Sequence, residues 1–333
     1  MTSADEGWAV GGILNADHSW AQSLILHFSH CQWTQVGPTI ANVGLSSISM
    51  DAPTDGWITG SSYGSASVLL HYSGGRWQQK HVATLENATG YFGNVRMLSP
   101  TDGWIVIEHA KDAHGLITTA LAHEHNGAWS VLMNTPFALV TDVSPVGPDD
   151  AWVIGTASDS DPTGMLAHYK AGQWVATVPM GGTVDSSHLS LRMVSPAVGW
   201  AMAEAPGPGG NYFEAVETPL VLRYDGTTWK SVHIGANPAA QRVYMFGANE
   251  GWAFQLSHQA DNADPGNLTI SQAQYESGGT WRAAKITARS ISDIYALSRV
   301  SAGEYWAIGS YQFSMHQSLL LHFANDTWTQ YGQ

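Results

Sequence analysis

The stretch that decides the fold runs VGLSSISMDAPTDGWITG (Val43–Gly60) and continues as SVLLHYSGGRWQQKH (Ser67–His81). It contains four short segments, LSSISM, WITG, SVLLHY and RWQQKH, which are separated by turn-forming Pro, Asp and Gly. Short apolar or alternating runs bounded by such residues are typical of β-strands. The stretch therefore predicts four consecutive strands.

The same unit recurs along the whole chain, and two tryptophans mark each copy. The first tryptophan of each copy follows a turn; these are Trp8, Trp57, Trp104, Trp152, Trp200, Trp252 and Trp306. The second opens the last strand; these are Trp33, Trp77, Trp129, Trp174, Trp229, Trp281 and Trp328. A period near 50 residues with four strands per copy is typical of a β-propeller, in which each sheet buries its faces against its neighbours.

Seven copies predict an all-β, seven-bladed β-propeller that occupies residues 1–333 as one domain. The predicted repeats are approximately 1–37, 43–83, 90–134, 137–179, 186–234, 240–287 and 290–331. The first copy has too few residues before Trp8 for an inner strand. We therefore expect either a three-stranded first blade or, as we favour, a missing upstream segment, as in a processed secreted protein or an excised sensor domain.

Three segments carry a resemblance to a known family: GWAVGG…LILHF…QW, GWITGS…LLHYSGGRW and GW…LVLRYDGTTW. They resemble the repeats of BNR/Asp-box-like propellers, among them the photosystem-II assembly-factor propellers and related bacterial repeat proteins. The resemblance covers nearly the whole chain and implies the propeller fold. The full Asp-box motif is approached best by YDGTTW at Tyr224–Trp229, and the other copies depart from it.

Composition and charge argue against some kinds of partner and favour one kind of cellular location. The net charge is −14, with 13 Lys+Arg against 27 Asp+Glu, which argues against nucleic acid or an anionic membrane as partner. No apolar run is long enough to span a membrane, and the N-terminus lacks the features of a signal peptide. The single cysteine, Cys31, is expected to be a small packed residue. Low Lys content with abundant Gly, Ser, Thr and Trp favours an extracellular or cell-envelope protein of bacterial origin.

The loops between the second and third strands vary most among the copies. In a propeller these loops gather at one mouth of the central channel, so we predict that the partner binds there. Six aromatic residues in these loops are not explained by the repeat: Trp20, Tyr63, Tyr212, Phe213, Tyr311 and Phe313. Aromatic faces stack on sugars or anchor protein partners, and packing within their own loops is the alternative.

The inner strands carry Arg96, Arg192 and Arg242, which would face the central channel. Three converging arginines bind a carboxylate or phosphate, as in sialidases, where a Tyr/Glu pair acts as nucleophile. Tyr244, with Glu204 or Glu214, is the closest match to that pair. The competing interpretation is that the arginines pair with Asp142, Asp51 or main-chain carbonyls and hold the blades together.

Two further patterns concern metals. One polar column on the third strands is rich in histidine; it comprises His27, His71, His123, His168, Arg223, Gln274 and His322. Because the blades separate these residues, we predict a repeated hydrogen bond there and no metal ring. Asp159 and Asp161, and Asp261 and Asp264, lie in turns that are weak Ca²⁺ candidates, with no EF-hand spacing. No other cofactor is expected.

These features predict a non-enzymatic recognition or scaffold propeller that binds a glycan or a protein. A sialidase- or lyase-like enzyme that uses the inner-strand arginines is the first alternative. An assembly factor or a subunit of a homo-oligomer is the second. The fold by itself does not choose among them.

Overall fold

The computed structural model describes residues 1–62, 67–88, 90–111, 117–157, 163–183, 189–204, 219–232, 242–258, 268–288, 291–311 and 314–331. Within these ranges the chain is built of antiparallel β-sheets and one helical turn, α1 (Ala83–Glu86). No helix among them has the length and apolar character needed to cross a membrane. The chain divides into two compact units, and the boundary between them falls within strand β16 (Ser190–Ser195).

The N-terminal unit comprises residues 2–182 and 189–193. Its first sheet has three strands, β1 (Glu6–Leu14), β2 (Trp20–Ser29) and β3 (Gln32–Gln35). The second sheet contains β4 (Val43–Ala52), β5 (Asp55–Ser62), β6 (Ser67–Ser73) and β7 (Arg76–Gln79). The third contains β8 (Tyr91–Ser99), β9 (Asp102–Lys111), β10 (Ile117–His125) and β11 (Ala128–Leu132). The fourth contains β12 (Leu139–Gly147), β13 (Asp150–Thr156), β14 (Thr163–Lys170) and β15 (Gln173–Thr183).

The C-terminal unit comprises residues 194–333 together with Met1 and residues 183–188. Strands β17 (Val198–Glu204), β18 (Pro219–Tyr224) and β19 (Trp229–Ser231) pair in sequence order. The next four strands are β20 (Arg242–Gly247), β21 (Glu250–His258), β22 (Leu268–Ser277) and β23 (Thr280–Ile286). The last four are β24 (Ile291–Ser301), β25 (Glu304–Tyr311), β26 (Ser314–Ala324) and β27 (Thr327–Gln330). A short parallel pairing of β23 with β27 joins these two groups into one eight-stranded sheet.

The four strands predicted from the deciding stretch are confirmed as β4 to β7. Their last turn has Gly74 and Gly75 at φ of 58° and 79°, the left-handed conformation that two-residue hairpin turns of this type require. Trp8 on β1 pairs with His27 as Trp57 on β5 pairs with His71, so β1 corresponds to β5. The turn acid, the tryptophan and the third-strand residue therefore hold equivalent places in both sheets. Among the described residues, the first sheet has no counterpart of β4.

The core forms between successive sheets because alternate residues of one strand face opposite sides. On β9, Ile105 and Ile107 pack with Trp57 of the preceding sheet, whereas Trp104 and Val106 pack with Val143 of the following one. All four β9 side chains are fully buried. Burial on both faces explains why the second strands read as continuous apolar runs in the sequence.

The expectation for Cys31 is wrong. Cys31 is exposed, in the hairpin turn between β2 and β3, with φ of 61°. The turn at His30–Cys31 carries neither Gly nor Asn, the residues that mark the equivalent turns Gly74-Gly75 and Asn126-Gly127.

Candidate functional site

Polar side chains on the inner strands of the N-terminal unit bond to the next inner strand. The hydroxyl of Ser49 accepts from the main-chain N–H of Met97 at 2.9 Å, and that of Ser144 accepts from Met193 at 2.9 Å. Ser47 accepts from Val95 in the same way at 3.2 Å. These bonds lie about one repeat apart in sequence, so they tie successive sheets together. A polar inner-strand position is therefore not by itself evidence of a ligand.

Arg96 pairs with the carboxylate of Asp142, and Arg192 lies near enough to feel the charges of both. Arg96 Nη2 lies 3.2 Å from Asp142 Oδ1, and Arg96 also donates to the carbonyl of Val95 at 3.2 Å. Asp142 accepts further bonds from its neighbour Val143 N at 3.0 Å and from Asn94 Nδ2 at 3.3 Å. Asp142 is buried, which makes its pairing with a guanidinium necessary for stability.

Arg192 combines solvent exposure with a lowered pKa. It exposes more than a third of its surface. Burial nevertheless lowers the pKa of Arg192 to about 10; Arg96 pushes the pKa in the same direction and Asp142 opposes it. Arg96, with a side chain 37% exposed, is open to solvent as well. Two guanidinium groups around one carboxylate give this cluster an excess of positive charge.

Arg242 belongs to the C-terminal unit and makes a two-point ion pair there. Its Nε lies 3.1 Å from Asp293 Oδ1 and its Nη2 lies 3.3 Å from Asp293 Oδ2. Arg242 is only 8% exposed. The contact joins β20 to β24, so this arginine links successive inner strands, as the competing interpretation expects. Its partner is Asp293, a residue that the sequence interpretation did not name.

Tyr244 lies two residues further along β20 and donates its hydroxyl proton to the carbonyl of Ile294 at 2.6 Å. Burial and the negative charge of Asp293 raise the pKa of Tyr244. A phenol with a raised pKa that donates to a main-chain carbonyl is poorly suited to act as a nucleophile. The side chain of Glu204, and Glu214 as a whole, lie outside the described residues.

Two of the six predicted loop aromatics fall within the described residues. The indole of Trp20 covers Gly12 on β1 and Gly44 on β4; a Cβ added to Gly12 would come within 2.7 Å of Trp20 Cε3. Tyr311 is half-buried and packs against the core of the last two sheets. Both rings therefore have packing roles. Tyr63, Tyr212, Phe213 and Phe313 lie outside the described residues, as do the calcium candidates Asp159, Asp161, Asp261 and Asp264.

The histidine column forms repeated hydrogen bonds, as predicted. In four sheets the histidine Nε2 lies within bonding distance of the acid in the turn before the tryptophan. These pairs are His27 with Glu6 at 2.7 Å, His71 with Asp55 at 3.1 Å, His168 with Asp150 at 2.6 Å and His322 with Glu304 at 3.0 Å. One member of the predicted column is wrong. Tyr275, not Gln274, lies opposite Trp252. Tyr275 also stands six residues before Trp281, as His71 stands six residues before Trp77.

The third sheet departs from this pattern, and the sequence interpretation missed it. His123 and Asp102 are too far apart there for a hydrogen bond, and His125 contacts the same acid. The available signal was the segment His123-Glu124-His125, because residues two apart on a strand share a face. The histidine column was interpreted as uniform, so the second histidine of the third sheet was not singled out.

No protein-family model matches the chain, and no curated protein matches it. Among solved structures, the chain is similar to YCF48 bound to D1 peptide, with 14% identity, a TM-score of 0.59 and coverage of 98% of this chain and 91% of that one. YCF48 from Cyanidioschyzon merolae matches with 12% identity, a TM-score of 0.51 and coverage of 95% and 98%. A Mycobacterium tuberculosis puromycin-hydrolyzing peptidase matches with 10% identity and a TM-score of 0.56, over 99% of this chain but 54% of the peptidase.

At these identities the likeness concerns the fold alone. The YCF48 structures are β-propellers. Three observations indicate one architecture. They are the antiparallel four-stranded sheets, the register they share at tryptophan, and the similarity of nearly the whole chain to these propellers. This chain has the all-β fold of the β-propellers.

Proposed function

We propose that the chain is a seven-bladed β-propeller that acts as a non-enzymatic recognition or scaffold module. Its partner is a protein segment or a glycan with an acidic group, which binds at the mouth formed by the loops between second and third strands. The observation that carries the proposal is the cluster of Arg96, Arg192 and Asp142. Arg96 and Arg192 both keep solvent-exposed surface, which supports the binding of a partner's carboxylate beside Asp142.

The described contacts favour binding over glycan hydrolysis. A sialidase-like mechanism would need three arginines on one anion beside a tyrosine nucleophile. Arg242 is instead held by both oxygens of Asp293, and the Tyr244 hydroxyl bonds to a main-chain carbonyl. These groups would have to break structural contacts before they took part in chemistry.

A protein segment is the partner that we favour. The chain carries a net charge of −14, so a local positive cluster would select where an acidic segment binds without attracting anions in general. One structurally similar protein, YCF48, has been solved with a bound peptide, which shows that a propeller of this kind accepts one. The composition supports an extracellular or cell-envelope setting.

The proposal is tested by screening the full chain against acidic and neutral peptides and oligosaccharides. The Arg192→Ala and Arg96→Ala variants are compared with Arg76→Ala, which removes the same charge from an exposed strand end. For an acidic hit we expect each of the first two variants to weaken binding by about tenfold or more, roughly 1.4 kcal/mol. Arg76→Ala should bind like the parent chain.

Three outcomes would contradict parts of the proposal. Equal binding by all three variants would remove the arginines from the interface. Turnover of an acidic glycan that Arg192→Ala abolishes would establish the enzyme alternative. Concentration-dependent self-association in light scattering, without any hit, would favour the homo-oligomer alternative.

A further inference from the structure

Three side chains with metal-binding atoms lie on one face of the third sheet. His123 and His125 are two residues apart on β10, and Asp102 opens β9 directly opposite His125. One ligand atom from each residue lies within 4.8 Å of the others. The strand pairing itself brings the three together, without any contribution from a long loop.

The distances inside this cluster differ from those of an ordinary histidine–acid pair. His123 Nε2 lies 3.7 Å from Asp102 Oδ1, and neither atom has a hydrogen-bond partner, although both residues are about 95% buried. His125 Nδ1 lies 3.2 Å from Asp102 Oδ2. A tetrahedral zinc ion with bonds of about 2.0–2.2 Å holds its ligand atoms roughly 3.3–3.6 Å apart. The three ligand atoms, all within 4.8 Å of one another, would therefore move closer together on binding the ion.

The other sheets provide an internal comparison. There, four equivalent histidine–acid pairs are closed by hydrogen bonds of 2.6 to 3.1 Å. The residues two positions after those histidines are Ser29, Ser73, Lys170 and Ala324. Lys170 reaches the turn acid, with its Nζ 2.9 Å from Asp150 Oδ2, which shows that a side chain at this position can bind that acid. Among the sheets in the described part of the chain, the third alone combines a second histidine here with an open histidine–acid pair.

We propose that Asp102, His123 and His125 bind one Zn²⁺-like transition-metal ion. Two imidazole nitrogens and one carboxylate suit Zn²⁺ and its neighbours in the first transition row, whereas Ca²⁺ and Mg²⁺ prefer all-oxygen sites. His125, with a side chain 48% exposed, opens the cluster to solvent, so water completes the coordination. The site is independent of the partner-binding function proposed above.

Neighbouring groups hold His123 in a fixed orientation. Its ring stacks on the fully buried Trp104, with centroids 3.9 Å apart and planes 8° from parallel. Its other nitrogen, Nδ1, faces Asp149 Oδ1 of the following sheet at 3.9 Å. This distance is too long for a hydrogen bond, so we expect Asp149 to act on the ring through its negative charge, which raises the basicity of a histidine ligand.

The test uses untagged full-length chain stripped with a chelator and then titrated with ZnCl₂ or CoCl₂. We expect one ion per chain by elemental analysis, and a visible cobalt spectrum typical of four-coordinate geometry. His125→Ser introduces the residue found at this position in the first two sheets, and it should abolish binding. Asp149→Asn keeps a residue that tolerates the positive φ of 52° and should weaken binding less than His125→Ser does, because it removes only a nearby negative charge.

The matched control is His81→Ser, which removes an exposed histidine paired with Glu86 elsewhere on the surface. It should bind Zn²⁺ like the parent chain. Substoichiometric or absent binding by the parent would overturn the proposal. So would equal affinity of the parent and His125→Ser. Because His125 is half exposed, circular dichroism of His125→Ser should match that of the parent, so lost binding is not explained by lost folding.

Discussion

The rings of Trp152 and His168 lie face to face, with centroids 4.4 Å apart and planes 7° from parallel. His168 in turn bonds to Asp150 at 2.6 Å, two residues before the tryptophan. The same tryptophan–histidine stack occurs in four other sheets; the pairs are Trp8–His27, Trp57–His71, Trp104–His123 and Trp306–His322. Each stack packs the start of the second strand, just after the turn, against the third strand. The recurrent tryptophan and histidine therefore form one structural unit.

Replacing Asp150, the acid that bonds to His168, should change how the free energy of unfolding depends on pH. Burial alone would raise the pKa of Asp150, but hydrogen bonds from His168 and Lys170 outweigh it and hold the pKa below 3.8. A lowered pKa contributes stability above 3.8, and this contribution is lost as the pH falls below that value. We expect Asp150→Asn to destabilise the chain by about 1–3 kcal/mol at pH 7, measured by urea denaturation.

The difference between Asp150→Asn and the parent should shrink as the pH falls below 3.8. Asp5→Asn, at an exposed position, serves as control and should leave stability unchanged. A penalty for Asp150→Asn that is the same at low and neutral pH would show that the hydrogen bonds are not its cause.

Asp51 should be a destabilising residue at neutral pH. Burial, reinforced by the nearby Asp55, raises the pKa of Asp51 to about 6, and neither carboxylate oxygen has a hydrogen-bond partner. The equivalent residues of the other inner strands are apolar: Leu98, Val146, Val194, Phe246 and Val300. A pKa raised in the folded state contributes stability below 3.8, which is lost as the pH rises to about 6.

Asp51→Asn should therefore stabilise the chain at pH 8 by on the order of 1–2 kcal/mol relative to the parent. Asp51→Leu, which restores the residue type of the other inner strands, should stabilise it at least as much. Thermal unfolding from pH 3.5 to 8 measures the effect. A gain for Asp51→Asn that does not grow between pH 4 and 6 would exclude titration of Asp51 as its source.

The turn at His30–Cys31 should be the easiest hairpin to improve. Both residues have positive φ, 51° and 61°, where the equivalent turns carry Gly74-Gly75 and Asn126-Gly127. Left-handed backbone costs an ordinary residue roughly 1–2 kcal/mol. Replacing both residues with Asn-Gly should raise the free energy of unfolding by about 1 kcal/mol, measured under reducing conditions. The reverse change, Gly127→Val, should lower it, and an unchanged value in both would reject the argument.

Trp20 and Gly44 should be energetically coupled. The indole of Trp20 covers the space that a Cβ at Gly44 would need. Gly44→Ala should therefore destabilise the chain by about 1–3 kcal/mol, because it displaces a packed ring. In a Trp20→Ala background the same substitution should cost much less. Additive effects in this double-mutant cycle would show that Trp20 does not pack on Gly44, and would leave its ring available to a partner.

The repeat could be predicted from the sequence because it depends on local chemistry. Strand periodicity at Val43–Gln79, turn residues at Gly74-Gly75 and tryptophans at equivalent positions are all visible along the chain. The histidine column was also predicted correctly as a structural hydrogen bond, since a position that recurs with the repeat serves packing within the repeat. Its one wrong member, Gln274, is a misalignment that the sequence could have avoided: each other member lies six residues before the second tryptophan of its copy, and six residues before Trp281 is Tyr275.

Only the tertiary structure decided which side chains meet. From the sequence alone, the inner-strand arginines could be interpreted either as an anion-binding site or as members of structural ion pairs. The structure assigns Asp293 to Arg242 and Asp142 to Arg96, because these partners lie about one repeat apart and come together only when successive sheets stack. The same holds for Asp102 and the two histidines of the third sheet. Local sequence determines which residues form a strand, whereas the packing of strands distant in the chain determines which charged groups come together.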